Sequence, residues 1–383
     1  MVFAIIFAAA FAGLALASHL VSILVAMIRC RRLARPHPRP RSAAGVTLVR
    51  PVCGIDNFVD ETLRSSFTLD YPRYEVIFCV ANAKDPVIAI VRQLIAEHPD
   101  VPARLLIGDE RISTNPKLNN CVKGWAAAAY DWIVLADSNV LMPSDYIQRL
   151  FAAWRPDTGL VCSPPIGSRP EGFWAQVECA FLNTYQARWQ YFAASIGLGF
   201  AQGKTMMWWR DLLERAGGIR RLATEVAEDA ASTKVVRAAG LHVRVVDPPF
   251  EQPLGARSAR DVWNRQIRWA RLRRASFMLY FAPELVSGAA LPLLAVAVVA
   301  AGLGWSIPAA LLLFGVVWYG AEVLLAHVAG WPVTRLYPLH ALTRDLLIPL
   351  LWADAWRNNG FVWRGNQMSV DDDALPADLT AAD

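Results

Sequence analysis

The sequence predicts an α/β domain, a mostly parallel sheet with flanking helices, carried between transmembrane helices at both ends of the chain. Three observations lead there. From Gly45 to about Asp247, short apolar runs alternate with helical stretches, the rhythm of strands joined by crossovers. Met1 to Ile28 holds no Lys, Arg, Asp or Glu, and at about 1.5 Å rise per residue it is long enough for the roughly 30 Å of a bilayer core. Two further apolar stretches, Val286 to Leu303 and Ile307 to His327, come after the mixed middle.

The hydrophobic share of the 383 residues is 55%, above the usual soluble range, and the excess sits at the two ends. The chain therefore reads as an integral membrane protein with one globular core. Residues 1–28 form the anchor. Ala15-Leu16-Ala17 has the small-residue look of a cleavage site, but no basic segment precedes it and the apolar run continues to Ile28, which favours a retained helix. Arg29, Arg31, Arg32, Arg35, Arg39 and Arg41 follow at once, interleaved with Pro36, Pro38 and Pro40, in a basic linker, 29–44. By the positive-inside rule they fix that end of the anchor in the cytoplasm, and with it the globular middle. The cluster abuts a membrane helix and suits anionic headgroups, so no nucleic-acid partner is expected despite the net charge of +5. The six cysteines form no C-x-x-C pair and read as small core residues, neither metal ligands nor disulfides.

The globular middle spans 45–257. Val46–Val49, Glu75–Val80, Arg104–Ile107, Trp132–Ala136, Leu160–Cys162 and a run from Leu241 to Val246 read as strands, most of them apolar enough to be covered on both faces. Pro86–Glu97 and Lys117–Ala129 read as connecting helices. Open α/β sheets take ligands at the carboxyl ends of their strands. Asp85 and Asp137 each follow a strand, which aims two carboxylates at one crevice, although an acidic residue there also serves as a helix cap or turn residue.

Residues 258–285 hold a basic amphipathic helix, Arg260 to Tyr280, of the kind that lies in the headgroup plane. The two apolar stretches, 286–327, make two spans, turning at Gly304 and Trp305. In 328–366, the stretch Leu342–Trp356 is interrupted by Arg344, Asp345 and Asp354 and reads as interfacial or re-entrant. Three spans return Trp363-Arg364-Gly365 to the side of the globular middle. Residues 367–383 are an acidic disordered tail. Glu322 and His327, at membrane depth or its edge, read equally well as a helix-to-helix polar contact or as functional groups.

The chain lacks a phosphate-binding loop of the G-x-x-x-x-G-K-[ST] type, G-x-G-x-x-G and G-x-S-x-G, which removes most of the case for phosphate-loop kinases, dinucleotide oxidoreductases and serine hydrolases. What remains is an acidic crevice and Arg265-Gln266-Ile267-Arg268-Trp269. A strand-end carboxylate can hold a divalent cation against a diphosphate. A second carboxylate can act as general base, and guanidinium groups can meet a departing diphosphate. Glycosyl transfer from a nucleotide sugar needs all three.

The series Asp85, Asp137 in Leu135-Ala136-Asp137-Ser138-Asn139, Asp229 in Ala227-Glu228-Asp229, and Arg265-Gln266-Ile267-Arg268-Trp269 resembles the D, D, D, (Q/R)-x-x-R-W pattern of membrane-bound inverting glycosyltransferases, above all the ceramide glucosyltransferase family. Leu69-Asp70-Tyr71-Pro72-Arg73-Tyr74-Glu75-Val76, Asp85-Pro86 and Asn115-Pro116-Lys117-Leu118-Asn119-Asn120 extend the likeness, which runs from about Gly45 to Leu285. The resemblance implies a GT-A type nucleotide-sugar domain that uses a UDP-sugar with Mg²⁺ or Mn²⁺ and an acceptor drawn from the lipid bilayer. Asp85 would contact the uridine, Asp137 the metal and diphosphate, and Lys117 the donor. Asp229 would be the base, with Arg265, Arg268 and Trp269 around the diphosphate and acceptor. The expected setting is a bacterial inner membrane. Asn139 departs from the pattern, since many relatives have a second acidic residue there, and an amide is a poorer ligand for a hard metal.

The expected activity is transfer of a hexose, glucose first, to the hydroxyl of ceramide. Diacylglycerol or a hopanoid is the competing acceptor. A non-catalytic lipid-binding scaffold would have lost one of the acidic or arginine motifs, and none is lost. Three spans also leave little helical wall for a polymer channel.

Overall fold

The computed structural model describes residues 1–31, 36–41, 43–363 and 366–371. Arg32 and Arg35 of the basic linker, Arg364 and Gly365 of the late motif, and Asp372 and Asp373 of the acidic tail lie outside the described residues. The chain divides into two compact units: Met1–Arg32 with Gly167–Phe192 and Ala256–Val362, and Leu33–Ile166 with Ala193–Gly255 and Trp363–Asp383.

The second unit is the sheet domain. Up to Ala256 the strands of the chain, in order, are β1 (Val46–Val52), β2 (Tyr74–Val80), β3 (Ala103–Ile107), β4 (Trp132–Ala136), β5 (Thr158–Cys162), β6 (Ile166–Glu171), β7 (Thr205–Trp209), β8 (His242–Val245) and β9 (Glu251–Ala256); all but β6 lie wholly or mostly in this unit. Seven of them build one sheet in the order β3-β2-β1-β4-β7-β5-β8. β1 pairs in parallel with β2 and β4, β2 with β3, and β5 with β8, whereas β7 runs antiparallel between β4 and β5. Every residue of β1 and β2 is buried, as mostly apolar strands covered on both faces require, and the polar exceptions are partnered, Thr47 donating to Glu75 at 2.7 Å. The core is built on Leu48, Val76, Phe78 and Val134 together with Leu63, Leu94 and Tyr146 from the covering helices.

The six expected strands and the helices Val87–Glu97 and Pro116–Ala127 are present within a few residues of where the sequence puts them. β7 is the strand that the sequence reading passed over. Its run Thr-Met-Met-Trp-Trp has no period-two alternation and passes directly into the helix Arg210–Arg215, so nothing local announces a strand. Of the six cysteines, Cys53 is a correction: it is exposed just past β1, while the other five are buried.

The helical unit holds two helices long and apolar enough to cross a membrane, Val2–Cys30 and Ile307–Ala329. A bent pair, Met278–Val286 and Ala290–Leu303, meets at 42° and makes a third if it counts as one span. Phe3, Phe7 and Leu14 on the first helix, and Leu312, Leu313 and Val316 on the other, are exposed; lipid makes such surfaces cheap and water does not. The protein is a membrane protein. The helix read as Leu342–Trp356 is longer, Tyr337–Arg357. Its Arg344, fully buried, reaches Glu322 of Ile307–Ala329 at 2.9 Å and Asp345 at 2.8 Å. Tyr337 Oη donates to Glu322 at 3.0 Å and Tyr319 Oη to Asp345 at 3.1 Å. Glu322 is thus the helix-to-helix contact of the two readings open to it, and His327 is exposed with its ring on the Val323 carbonyl.

Candidate active site

In the sheet unit, a cluster of charges forms where β4 ends. Asp137 is the first residue past β4, and its loop is tied down from inside. Arg50 of β1, fully buried, donates to the carbonyls of Asp137 at 2.8 Å and Val140 at 3.0 Å, and to Thr62 O at 2.8 Å. Thr62 Oγ1 in turn donates to Ser138 O at 2.7 Å. Burial pulls the Arg50 guanidinium down to about 10, so it stays charged at neutral pH. Fixing Asp137-Ser138-Asn139 by backbone carbonyls leaves the side chains of Asp137 and Asn139 to face outward from the loop.

Lys117 arrives from the helix Pro116–Ala127. Asn115 caps that helix, its Oδ1 accepting from Lys117 N at 2.9 Å and Leu118 N at 3.1 Å, and Pro116 occupies the first turn, where a missing N–H costs nothing. Lys117 Nζ lies 2.6 Å from Asp137 Oδ1 and 2.6 Å from Glu228 Oε1, and also donates to Gly203 O. Asn115 Nδ2 completes the frame with a 2.7 Å bond to Glu228 Oε2. Burial works against the charge on Lys117, but the carboxylates of Asp137 and Glu228 outweigh it and hold the ammonium above its ordinary value. Burial likewise opposes the charge on Asp137, and the Lys117 and Lys204 ammonium groups overcome it, keeping this carboxyl well below the usual range.

Asp229 and Glu228 open the helix Glu228–Ala238, where a helix N-terminus favours negative charge. Asp229 Oδ2 accepts from Gly203 N at 3.0 Å. Burial, then the neighbouring Glu228 carboxylate, push its pKa up to about 6 against the pull of Lys117. Gly203 admits this convergence because it has no side chain: a Cβ there would stand 2.7 Å from Glu228 Oε1 and 3.0 Å from Lys117 Nζ.

The sheet unit therefore brings Lys117 and Asp137 into direct contact and links Asp229 to them through Gly203 and Glu228. Asp85 stands where β1 and β2 end; its carboxylate accepts from Gly54 N and from Val87 N, both at 2.9 Å. Placed one residue before the Pro86 N-cap of the following helix, it acts as a turn residue, one of the roles that the sequence left open. Two members of the cluster were not singled out from sequence. Glu228 was legible as the neighbour of Asp229, but Lys204 sits next to the overlooked strand β7 and could be found only by its register opposite β4.

Arg265, Arg268 and Trp269 lie in the other unit, on the helix Ala259–Ser276, which opens with a Ser258–Asp261 capping box. Their spacing puts them on one face, half-buried, while Gln266 and Ile267 between them are buried. Arg265 pairs at 2.6 Å with Glu178, which is fully buried and also faces Arg257 at 3.6 Å.

Asp137 and Asn139 offer one carboxylate and one amide oxygen. That number suits a Mg²⁺ ion that takes its other ligands from a diphosphate and water. Among the described residues there is no group of three or more His, Cys, Asp or Glu arranged to hold a metal on its own.

A family model described as glycosyl transferase family 21 matches residues 14–375. The chain belongs to glycosyl transferase family 21. Among curated proteins, Ceramide glucosyltransferase 3 of Caenorhabditis elegans is 26% identical over 363 residues, covering 91% of this chain and 79% of the relative. Ceramide glucosyltransferase 1 of the same organism is 27% identical over 259 residues, 67% of this chain and 55% of the relative. The Ceramide glucosyltransferase of Komagataella phaffii is 41% identical over 116 residues, 29% of this chain and 23% of the relative. The family 21 chain thus spans little more than half the length of one of these relatives and over three quarters of another. Among solved structures, the mannosyltransferase PcManGT from Pyrobaculum calidifontis, in complex with GDP-Man and Mn²⁺, is similar with a TM-score of 0.51 at 19% identity, over 88% of this chain and 98% of that one. That likeness establishes the GT-A fold.

Proposed function

We propose that this family 21 chain transfers a hexose, glucose first, from a UDP-sugar to the hydroxyl of a membrane lipid, ceramide, with inversion. The relatives named ceramide glucosyltransferase support the acceptor, and the membrane helices give it a route in. The observation that carries the mechanism is Asp229: a carboxylate at a helix N-terminus, held by Gly203 N and poised at about 6, is ionised at neutral pH yet basic enough to take a proton.

Asp229 removes the proton from the lipid hydroxyl as that oxygen bonds to the anomeric carbon and the bond from that carbon to the diphosphate oxygen breaks. The electron pair and the negative charge leave with UDP. Asp85 holds the uridine end, Asp137 faces the diphosphate, and Lys117 keeps Asp137 and Glu228 in register. Arg265, Arg268 and Trp269 supply fixed charge for the departing diphosphate and an amphipathic face for the acceptor. When bound, Mg²⁺ or Mn²⁺ adds charge neutralisation at the leaving group. The arginines that follow the first helix support a cytoplasmic sheet unit, and a bacterial inner membrane is the setting proposed for it.

Membranes carrying the chain, incubated with labelled UDP-sugars and a panel of lipids, test this. Labelled glucosylceramide is expected from UDP-glucose and ceramide. Label found in diacylglycerol or hopanoid products, or in polymer, would replace the acceptor assignment.

A further inference from the structure

Lys204 has no part in the mechanism above, yet it touches the residues most concerned with the diphosphate. It directly precedes β7, and Asp137 N donates to its carbonyl at 3.0 Å. Since β4 and β7 pair with Ala136 opposite Thr205, this register sets Lys204 across from Asp137. Its ammonium lies 2.9 Å from Asp137 Oδ2 and 3.1 Å from Asn139 Oδ1. With Asp137 Oδ1 held by Lys117, these are the two side-chain oxygens that Asp137 and Asn139 have left to offer a divalent ion.

We propose that Lys204 is a diphosphate-binding cation seated between Asp137 and Asn139, which allows the chain to hold UDP without a divalent ion. The proposal rests on the UDP-sugar reading of the site. Charge supports it. The Asp137 and Glu228 carboxylates are already balanced by the Lys117 and Lys204 ammonium groups, and Asn139 adds no charge that would call for a divalent ion. Lys204 is mostly shielded, its side chain 16% exposed, so its charge is screened less than that of a surface lysine. A divalent ion entering the same pair of oxygens has to displace the ammonium, and ion and lysine therefore compete.

Calorimetric titration of UDP into the full chain in detergent, once with EDTA and once with Mn²⁺, tests the idea. The wild-type dissociation constant should agree between the two buffers within about threefold. Lys204→Met should weaken UDP binding in EDTA by about tenfold or more, the scale of a lost charge-assisted contact, and recover it in Mn²⁺. Lys204→Arg should behave as wild type. Wild-type binding that requires Mn²⁺, or a Lys204→Met chain that binds as wild type in EDTA, overturns the assignment. Wild type that binds UDP in neither buffer overturns the donor site itself. If Lys204→Met fails to fold, Asn139→Asp reads the same balance: Mn²⁺ should tighten UDP binding to that variant by about tenfold over EDTA, and an unchanged ratio overturns the proposal.

Discussion

A carboxylate poised at about 6 is half protonated one unit below neutrality, so the ionised base disappears as pH falls. The profile of kcat/KM should therefore show an acid limb near pH 6, and Asp229→Asn should remove it along with turnover, by about 10²- to 10⁴-fold. UDP binding to that variant should persist, because Asn keeps an oxygen for Gly203 N. The same shift bears on stability. In the unfolded chain Asp229 ionises near 4; in the fold it does so only near 6. Stability falls as pH rises through that window and stays lower above it. Asp229→Asn should accordingly stabilise the fold at pH 7.5 by on the order of 1 kcal/mol, seen as a higher melting temperature, and a melting scan across pH 4 to 8 checks the sign. At this scale the sequence was informative where chemistry is carried by a short string: Asp137, Asp229 and Lys117 sit in recognisable runs. Arg50 and Lys204 were illegible because their roles depend on which carbonyl or carboxylate the sheet brings alongside.

Single elements of the helical unit are held by charges that lie far from water. Arg344 sits between Glu322 and Asp345, with Tyr337 and Tyr319 closing the group. Removing one partner of such a group leaves the other buried and uncompensated, at about 3–5 kcal/mol. Arg344→Met should lower the yield of folded protein in membranes, and Glu322→Gln/Arg344→Met should recover part of it, since the double change removes opposite charges together. Fluorescence-detected size exclusion of the detergent-solubilised variants measures this. Strands with unbroken apolar runs and helices with a cap such as Asn115 followed by Pro116 were legible, because their signals are local. β7 was not, because an antiparallel strand inserted between β4 and β5 is defined by its neighbours.

On the scale of the whole molecule, a GT-A sheet unit and a helical unit with membrane-length spans share one chain, and the family match runs across both, residues 14–375. The acidic cluster belongs to one unit and Arg265, Arg268 and Trp269 to the other. The proposed reaction would give each unit a task, since it joins a soluble nucleotide donor to a lipid acceptor. If Asp229 is the base of a single displacement, the anomeric centre must invert. Proton NMR of the glucosylceramide formed from α-linked UDP-glucose measures this most directly: a β-linked product made by the wild type and lost with Asp229→Asn is the predicted result, and an α-linked product, or near wild-type turnover by Asp229→Asn, would contradict it.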